Sequence, residues 1–530
     1  MSEIAAPSAL PALSDAYRSC FEHEGGDLPG RLAAQAYLDG STAVYHGEVI
    51  GLGFIPKLYD MDALRFLDAQ ATVAYRILEK VTRRFLDDAA YRRLFGFSPL
   101  LEHLICLPTG YDALIPVMRM DVFLDEGTLD FMLCEFNTDG TSAMNEDREG
   151  ANALMRSVAF VRAQGEGGLA LEAQELFEGW VDEFLALYGS SVRADGGAAP
   201  AASGAAASAG PDGPCVAIVD YASSATSYEF EEFRSRFEAR GLRCLVCDVS
   251  SLVYEDGALH GTDVVPSRRQ TGAADGACGA SRIDAVYRRA VTGELLAELE
   301  GQGVRPQDVG SPGAARGALA LARAVGDRSI CMIGGFRTQV AHCKQLFAVL
   351  HLPETSAFLT DEEACFVRRH VPYTARLDDP SVDLGPLRSD KDAWILKPNE
   401  GYASQGVHAG IDHSQAEWED AIEACSVRPY VVQAFCRQYA TPNTRLVPLG
   451  PDGGRLARFD ALALEPWNNL TGLYLYKGRF SGIFVRAGQK GIIAGFAGGI
   501  TVPAFLSAYD PAAGLALRTR PGSSRKDLDD

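Results

Sequence analysis

Residues 117–137 read VMRMDVFLDEGTLDFMLCEFN, in which two runs of alternating residues flank an acidic turn that contains glycine. This pattern predicts a β-hairpin. Residues two apart on a strand share a face, so Arg119 and Asp121 point to the same side of the first strand. Glu135 and Asn137 are spaced in the same way on the second strand.

The length of the turn decides whether these two pairs share one face of the hairpin. A turn of five residues, 126–130, places Asp121 opposite Glu135, whereas a turn with an even number of residues would separate the pairs. The same register sets Arg119 opposite Asn137. The intervening residues would then face the core: Met120, Cys134 and Phe136.

A face with two carboxylates, a carboxamide and a guanidinium suits Mg²⁺ and phosphate, because magnesium takes hard oxygen ligands and shares them with substrate phosphates. The candidate metal ligands are Asp121, Glu135 and Asn137. A solvated hairpin face with incidental salt bridges is the alternative. The polar, glycine-containing run at 138–142 favours a ligand-contacting loop. The acids beyond it are expected in the solvated first turn of a helix: Glu146, Asp147 and Glu149.

A second informative segment is WILKP at 394–398, which predicts a strand that presents Lys397 near its end. It runs into NEGYASQGV, and such a loop can cover a triphosphate because glycine lets backbone amides approach phosphate oxygens closely. It is not a Walker loop, since GxxxxGK[ST] is absent and no helix follows directly. The loop residues expected to contact a nucleotide are Gly401, Ser404, Gln405 and Gly406.

Two further segments could complete a nucleotide site. YVVQAF at 430–435 predicts an apolar strand whose backbone could hydrogen-bond an adenine edge, and a plain core strand is the alternative. The contacts would come from Gln433, Ala434 and Phe435. VAHCKQLFAVLHL at 340–352 predicts a helix in which Lys344 is a cation within an apolar stretch. Such a lysine is more often a surface residue that snorkels into water.

The composition narrows the range of partners. The 530 residues carry a formal net charge of −21, which argues against nucleic acid or an anionic membrane surface, because both need clustered Lys and Arg. No run of about 18 apolar residues and no signal-peptide pattern is present, so a soluble, cytoplasmic protein is expected. The 12 cysteines lie mostly in apolar runs, which predicts buried small side chains rather than zinc ligands.

Shifts in composition divide the chain into segments. An Ala-, Gly- and Ser-rich stretch predicts a flexible linker, and a strand–helix–strand order after it predicts a small parallel α/β unit. The predicted segments are 1–189 with the hairpin, the linker 190–214, the α/β unit 215–330 with a loop insertion at 255–281, a nucleotide-binding part 331–510, and a disordered tail 511–530.

Together, these segments resemble the glutathionylspermidine synthase-like family of circularly permuted ATP-grasp ligases, in which the metal strands precede the lysine and the glycine loop. The likeness rests on the RxD…ExN pattern at 119–137, the Lys-Pro and glycine loop at 397–406, Lys344 and the strand 431–435. It covers residues 100–145 and 330–505, and 215–330 more loosely. The loop GYASQG lacks the Arg-Glu-Gly run expected of members that make glutathionylspermidine.

The resemblance implies an α+β / α/β fold, namely a circularly permuted ATP-grasp fold with a small inserted pre-ATP-grasp α/β domain. It implies that ATP phosphorylates a carboxylate and that an amine attacks the acyl phosphate. Asp121, Glu135 and Asn137 would hold Mg²⁺. Lys344 and Lys397 would contact the phosphates of ATP. Arg119 would stabilise the transferring phosphoryl group.

The substrates would be a small-molecule or peptide carboxylate and an amine, with neither nucleic acid nor a membrane as partner. The sequence leaves the oligomeric state open. Arg288 and Arg289 follow a predicted strand and could hold a substrate carboxylate. Two alternatives would use the same ATP site: a small-molecule phosphotransferase, and a non-catalytic nucleotide-binding protein.

Overall fold

A computed structural model describes residues 8–45, 47–191, 213–223, 227–264, 280–401, 404–446, 463–494 and 498–507. Almost all of the predicted linker, most of the predicted loop insertion and the whole predicted tail lie outside these residues. None of the helices in these ranges combines the length and apolarity needed to cross a bilayer.

The described chain contains both helices and strands. The helices are α1 (Leu10–His23), α2 (Leu28–Asp39), α3 (Met61–Asp87), α4 (Ala89–Arg92), α5 (Pro99–Ile105), α6 (Met144–Leu154), α7 (Val158–Gly165), α8 (Phe177–Ser190), α9 (Ser227–Ala239), α10 (Thr292–Gly301), α11 (Pro306–Val309), α12 (Gly317–Gly326), α13 (Gln339–His342), α14 (Gln345–Leu350), α15 (Pro353–Ser356), α16 (Asp361–His370), α17 (Leu384–Ser389) and α18 (Gln415–Ser426). The strands are β1 (Val44–Tyr45), β2 (Glu48–Val49), β3 (Lys57–Tyr59), β4 (Val117–Leu124), β5 (Phe131–Asn137), β6 (Leu171–Ala173), β7 (Cys215–Asp220), β8 (Arg243–Asp248), β9 (Val253–Glu255), β10 (Ala258–Gly261), β11 (Ser281–Ile283), β12 (Ala285–Arg288), β13 (Ala315–Arg316), β14 (Cys331–Ile333), β15 (Thr374–Arg376), β16 (Trp394–Pro398), β17 (His408–Ala409), β18 (Tyr430–Ala434), β19 (Ala440–Asn443), β20 (Glu465–Tyr476), β21 (Arg479–Gly488), β22 (Ile500–Val502) and β23 (Ala504–Ser507).

The largest sheet carries the predicted hairpin. Its strand order is β22-β21-β20-β4-β5, with β19 beside β20. On one face, Met118 and Met120 of β4 are fully buried in an apolar cluster that includes the long helix α3. On the other face, Tyr476 of β20 lies 5.6 Å from Trp180 of α8, measured between ring centroids. Helices therefore cover both sides of this sheet and fix the hairpin within the interior.

The hairpin has the predicted register, with Asp121 opposite Glu135 and Arg119 opposite Asn137. The predicted turn is wrong by one residue, because Leu124 pairs with Phe131 and leaves six residues between them. A bulge next to Asp121 compensates for the extra residue by placing two residues of β5 against one of β4. The bulge also overturns the expected burial of Cys134, which lines a cavity instead of the core. Met120 and Phe136 are buried, as expected.

The middle segment contains the predicted parallel α/β unit. Strands β14, β12, β7 and β8 pair in that order, all in parallel. The predicted loop insertion is partly regular, because β9 and β10 pair with β11 and β13 in an antiparallel sheet. Cys244 and Cys247 of β8 are buried, in agreement with their interpretation as apolar side chains.

The C-terminal part supplies a smaller antiparallel sheet with the order β15-β18-β16-β17. Trp418 of α18 is fully buried against it in an apolar cluster with Leu396 and Val432. The predicted helix at 340–352 is wrong as a single element, because it consists of α13 and α14 with a break at Cys343, whose backbone is extended. The chain is thus a mixed α/β protein with several sheets.

Candidate functional site

A cavity between the large sheet and the C-terminal sheet brings the two remote sequence segments together. It holds about 750 Å³ of empty space. Lys397 on β16 donates a hydrogen bond from Nζ to the carbonyl oxygen of Cys134, in the bulge of β5, at 3.3 Å. The predicted metal ligand Glu135 lines this first cavity, together with most of the predicted nucleotide contacts: Lys344, Lys397, Gly401, Ser404, Gln405, Gln433, Ala434 and Phe435.

The remaining predicted residues do not line the first cavity. Arg119 lines a neighbouring second cavity, and Asp121 lies behind it with only 1% of its surface exposed. Asn137 donates from Nδ2 to Asp121 at 3.1 Å and to Glu135 at 3.2 Å, so it joins the two carboxylates. Gly406 instead fits against the Tyr430 hydroxyl, which a Cβ would approach to 2.8 Å.

Asp121 is held by two guanidinium groups. Arg119 donates to both of its oxygens, from Nε at 2.7 Å and from Nη2 at 3.0 Å. Arg486 on β21 donates to Oδ2 at 2.6 Å. Bidentate and charge-assisted contacts of this kind are strong and directional. Arg119 also donates to the carbonyl of Ser142 at 2.7 Å, so its guanidinium is fixed in place.

Glu135 faces the first cavity and keeps its negative charge. Its Oε2 lies 3.9 Å from Lys344 Nζ, and its Oε1 lies 4.0 Å from Arg486. Burial raises the pKa of Glu135, but Lys344, Arg486 and Lys397 together bring it down to about 2. Because Glu135 stays ionised among these cations, it is suited to binding a further cation once a bound anion neutralises them.

Lys344 reaches the cavity because of the break between α13 and α14. Its amide donates to the Asn399 carbonyl at 3.0 Å, and the Asn399 side chain accepts from the amide of Gln345 at 2.8 Å. These bonds from the loop after β16 start a new helix just after Lys344. The Nζ of Lys344 donates to the carbonyl oxygen of Gly401 at 2.8 Å. The expectation of a snorkelling surface lysine is therefore wrong, because the side chain is buried.

Lys397 is oriented by the predicted adenine strand. Its Nζ donates to Gln433 Oε1 at 2.8 Å, and Gln433 Nε2 donates to Thr374 at 2.9 Å. The backbone amides of Ala434 and Phe435 already donate to Tyr373 and Ala393, both at 2.8 Å. These two amides therefore cannot donate to an adenine edge in this conformation. The carbonyl oxygens of Ala434 and Phe435 are left for that contact.

The glycine loop borders the cavity with two residues in the left-handed region. Ser404 has φ of 57° and Gly406 has φ of 69°. Left-handed conformation at Ser404 is uncommon for a non-glycine residue and is typical of loops held in shape by a functional requirement. Residues 402–403 lie outside the described chain.

Arg486 is the site residue that the sequence interpretation missed. It lies in FVRAG on β21, a cation within an otherwise apolar strand, which is the same signal that singled out Lys344. It lines both cavities and contacts Asp121. Within the described residues, β21 pairs with β20 and β22 and is separated from the hairpin by β20. The position of Arg486 beside Asp121 could therefore not be found from local spacing.

The predicted metal ligands fit Mg²⁺ in part. Glu135 has accepting capacity left, and Asn137 can offer its carbonyl oxygen. The Asp121 oxygens already accept four bonds from Arg119, Arg486 and Asn137. Asp121 could therefore act as a ligand only if a guanidinium, such as that of Arg486, released it. Within the described residues no three His, Cys, Asp or Glu side chains converge as a metal site.

The second cavity adjoins the first and holds about 1430 Å³ of empty space. Arg486 and Ile493 line both cavities. Around the second cavity lie the first turn of α6, the hairpin of β1 and β2, and the end of β21. The charged residues that line it are Glu48, Arg119, Glu146, Arg445 and Arg486.

The acids that follow the hairpin are not solvated, so that expectation is wrong. Glu146, Asp147 and Glu149 have 9%, 1% and 5% of their surface exposed. Helix α9, which lies far away in the sequence, packs against α6 and excludes water from this turn. Arg288 and Arg289 are wrong as substrate contacts, because they form buried ion pairs with Asp139 and Glu229.

Comparison with known proteins leaves the family open. Neither a protein family model nor a curated protein matches the sequence. One similar solved structure is the apo form of a glutathione synthetase-like effector from Globodera pallida. It is 12% identical, the superposition covers 90% of this chain and 96% of that chain, and the TM-score is 0.47.

Proposed function

We propose that the chain is an ATP-dependent, magnesium-requiring ligase that joins a carboxylate to an amine, on a circularly permuted ATP-grasp fold similar to the glutathionylspermidine synthase-like family. The observation that supports this most is the meeting of two cavities at one charged cluster. Lys344 and Lys397 face the first cavity, and Arg486 faces both. In a chain with a net charge of −21, such a concentration of cations favours a polyphosphate ligand.

The first cavity suits ATP. Its cationic end is formed by Lys344 and Lys397, each of which would contact phosphate oxygens. Its other walls are apolar, which suits a purine ring. The apolar lining includes Phe123, Ile395, Leu470, Ile492 and Ile493.

The junction of the two cavities suits phosphoryl transfer. Arg119 and Arg486 are positioned on either side of Asp121 and would stabilise charge on the transferring group and on the tetrahedral oxyanion. Bound Mg²⁺ would neutralise the phosphate charge during transfer. Glu135 and Asn137 would be its protein ligands, and Asp121 would join them once Arg486 released it. The loop from Gly401 to Gly406 would keep water from the acyl phosphate.

The second cavity suits the co-substrates. Its walls carry charges of both signs, which would suit an anionic acid and a cationic amine. A phosphotransferase would need room for only one acceptor. The mixed charge of this cavity therefore supports a ligase over the phosphotransferase.

The test is ADP release by the purified chain with Mg-ATP, a panel of amino acids, short peptides and glutathione as acids, and hydroxylamine as the amine. We expect ADP release that requires both an acid and hydroxylamine, together with formation of the hydroxamate. Glu135→Ala should abolish it, whereas Glu166→Ala, at an exposed position, should not. A phosphorylated product formed without any amine would identify a phosphotransferase. No ADP release with any acid, or equal activity of Glu135→Ala, would refute the ligase.

A further inference from the structure

Glu146 is a buried carboxylate that faces the second cavity without a side-chain partner. It lies in the first turn of α6, and only 9% of its surface is exposed. Within the described residues its carboxylate has no cation within 4 Å and no hydrogen bond to another side chain. Burying an unpaired carboxylate costs free energy, so a protein that retains one in a cavity wall has a use for its charge.

The neighbours of Glu146 cannot neutralise it. Glu229 of α9 uses Oε1 to accept from the amide of Met144 at 2.8 Å and uses Oε2 to pair with Arg289 at 2.8 Å. Burial, and then the charge of Glu229, raise the pKa of Glu146 to about 7, while a hydrogen bond from its own amide and the charges of Arg289 and Arg119 partly oppose this. The nearby hydroxyl of Tyr45 is neutral at pH 7, and burial raises its pKa further above its ordinary value.

The position of Glu146 relates it to the reacting group. It shares the second cavity with Arg119 and Arg486, and Arg486 also lines the first cavity. A group bound beside Glu146 would therefore face the carboxylate that becomes activated at the junction. Glu48 also lines the second cavity, and its exposed carboxylate adds negative potential there.

We propose that the second cavity binds a primary aliphatic amine and that Glu146 is the residue that binds it and accepts its proton. This inference rests on the proposed ligase function. The ammonium group passes one proton to the Glu146 carboxylate, and the free nitrogen pair attacks the acyl carbon. The new C–N bond forms as the C–O bond to phosphate breaks. The electrons of the broken C–O bond and the second N–H proton leave with phosphate.

The binding test uses n-propylamine as the probe and 1-propanol as its uncharged control, followed by ligand-observed NMR on the full chain. We expect saturable binding of n-propylamine, about tenfold or more weaker in Glu146→Gln, because a buried charge pair is lost. Glu149→Gln carries the same change on the same helix, but Glu149 is paired with Tyr37 and Arg148, so n-propylamine binding should be unchanged. Equal binding to wild type and Glu146→Gln, or none to wild type, would overturn the proposal.

A second measurement tests proton transfer separately. Hydroxylamine is uncharged at neutral pH and needs no base, so Glu146→Gln should keep hydroxamate formation and lose amide formation with n-propylamine. Equal loss of both products would overturn the role as proton acceptor. Hydroxamate formation without any binding of n-propylamine would leave the ligase standing and refute the amine site. Binding of n-propylamine at Glu146 without ADP release under any condition would refute the ligase and, with it, the proton transfer.

Discussion

Replacing Glu146 with glutamine should make the protein more stable. The folded protein raises the pKa of this carboxyl from 4.5 to about 7, so the folded state holds a proton that the unfolded chain releases. The stability linked to that proton is fully present below pH 4.5 and is lost as the pH rises through 7. The neutral amide of Glu146→Gln does not titrate and avoids this loss.

The size of the effect follows from the shift. At about 1.4 kcal/mol for each pH unit, the ionised side chain destabilises the folded state by about 3 kcal/mol above pH 7. For a chain of 530 residues this corresponds to about 3 °C in melting temperature. At pH 8, Glu146→Gln should melt about 3 °C above wild type, and the difference should fade toward pH 5.

Thermal unfolding by circular dichroism between pH 5 and pH 8 measures this difference. Glu149→Gln is the matched control with the opposite sign, because Glu149 accepts hydrogen bonds from Tyr37 and Arg148, and its neutralisation should lower the melting temperature. If Glu146→Gln melts at or below the wild-type temperature at pH 8, Glu146 has a partner that compensates its charge. The reasoning about its burial would then be refuted. A gain in stability from the loss of a charged cavity residue is typical of functional sites.

Three further predictions concern the charged cluster. Gly472→Ala would place a Cβ 2.6 Å from Arg119 Cδ and 2.8 Å from Asp121 Oδ1. The rate of ADP release should therefore fall about tenfold or more. Gly326→Ala, whose Cβ would have its nearest contact at 3.6 Å, should leave that rate unchanged. Lys397→Met should weaken ATP binding about tenfold in calorimetry, because it removes a charge that, in the proposed function, would contact phosphate. Lys477→Met, at an exposed position, should leave ATP binding unchanged. Equal affinities of wild type and Lys397→Met would contradict the phosphate role. Without nucleotide, Glu135→Gln should be about 3 kcal/mol less stable at pH 7. The lowered pKa of Glu135 contributes stability above pH 4.5 that is lost as the pH falls toward 2. A constant difference down to pH 3 in melting experiments would refute this.

Local pattern predicted the hairpin because the alternation of side chains along a strand is a property of neighbouring residues. It did not predict the bulge at Cys134. There the carbonyl oxygen accepts a bond from Lys397, which belongs to another sheet. The right register was therefore predicted with the wrong turn length.

Helix periodicity likewise predicted a helix around Lys344 but not its interruption. The break depends on Asn399, which bonds to the backbone of Lys344 and Gln345 from the loop after β16. The acids after the hairpin were misread for the same reason. An acidic first turn is a local signal for a solvated helix end, but Glu229 and α9 bury it.

The amino-acid sequence by itself determined which residues share a strand face, which loop is rich in glycine and which cations interrupt apolar runs. These properties depend on the geometry of a few consecutive residues. Only the tertiary structure decided that Lys397 meets the bulge of the hairpin, that Arg486 contacts Asp121, and that Glu146 is enclosed without a side-chain partner. Those contacts join segments hundreds of residues apart, and their free energy comes from burial and charge pairing that no local pattern records.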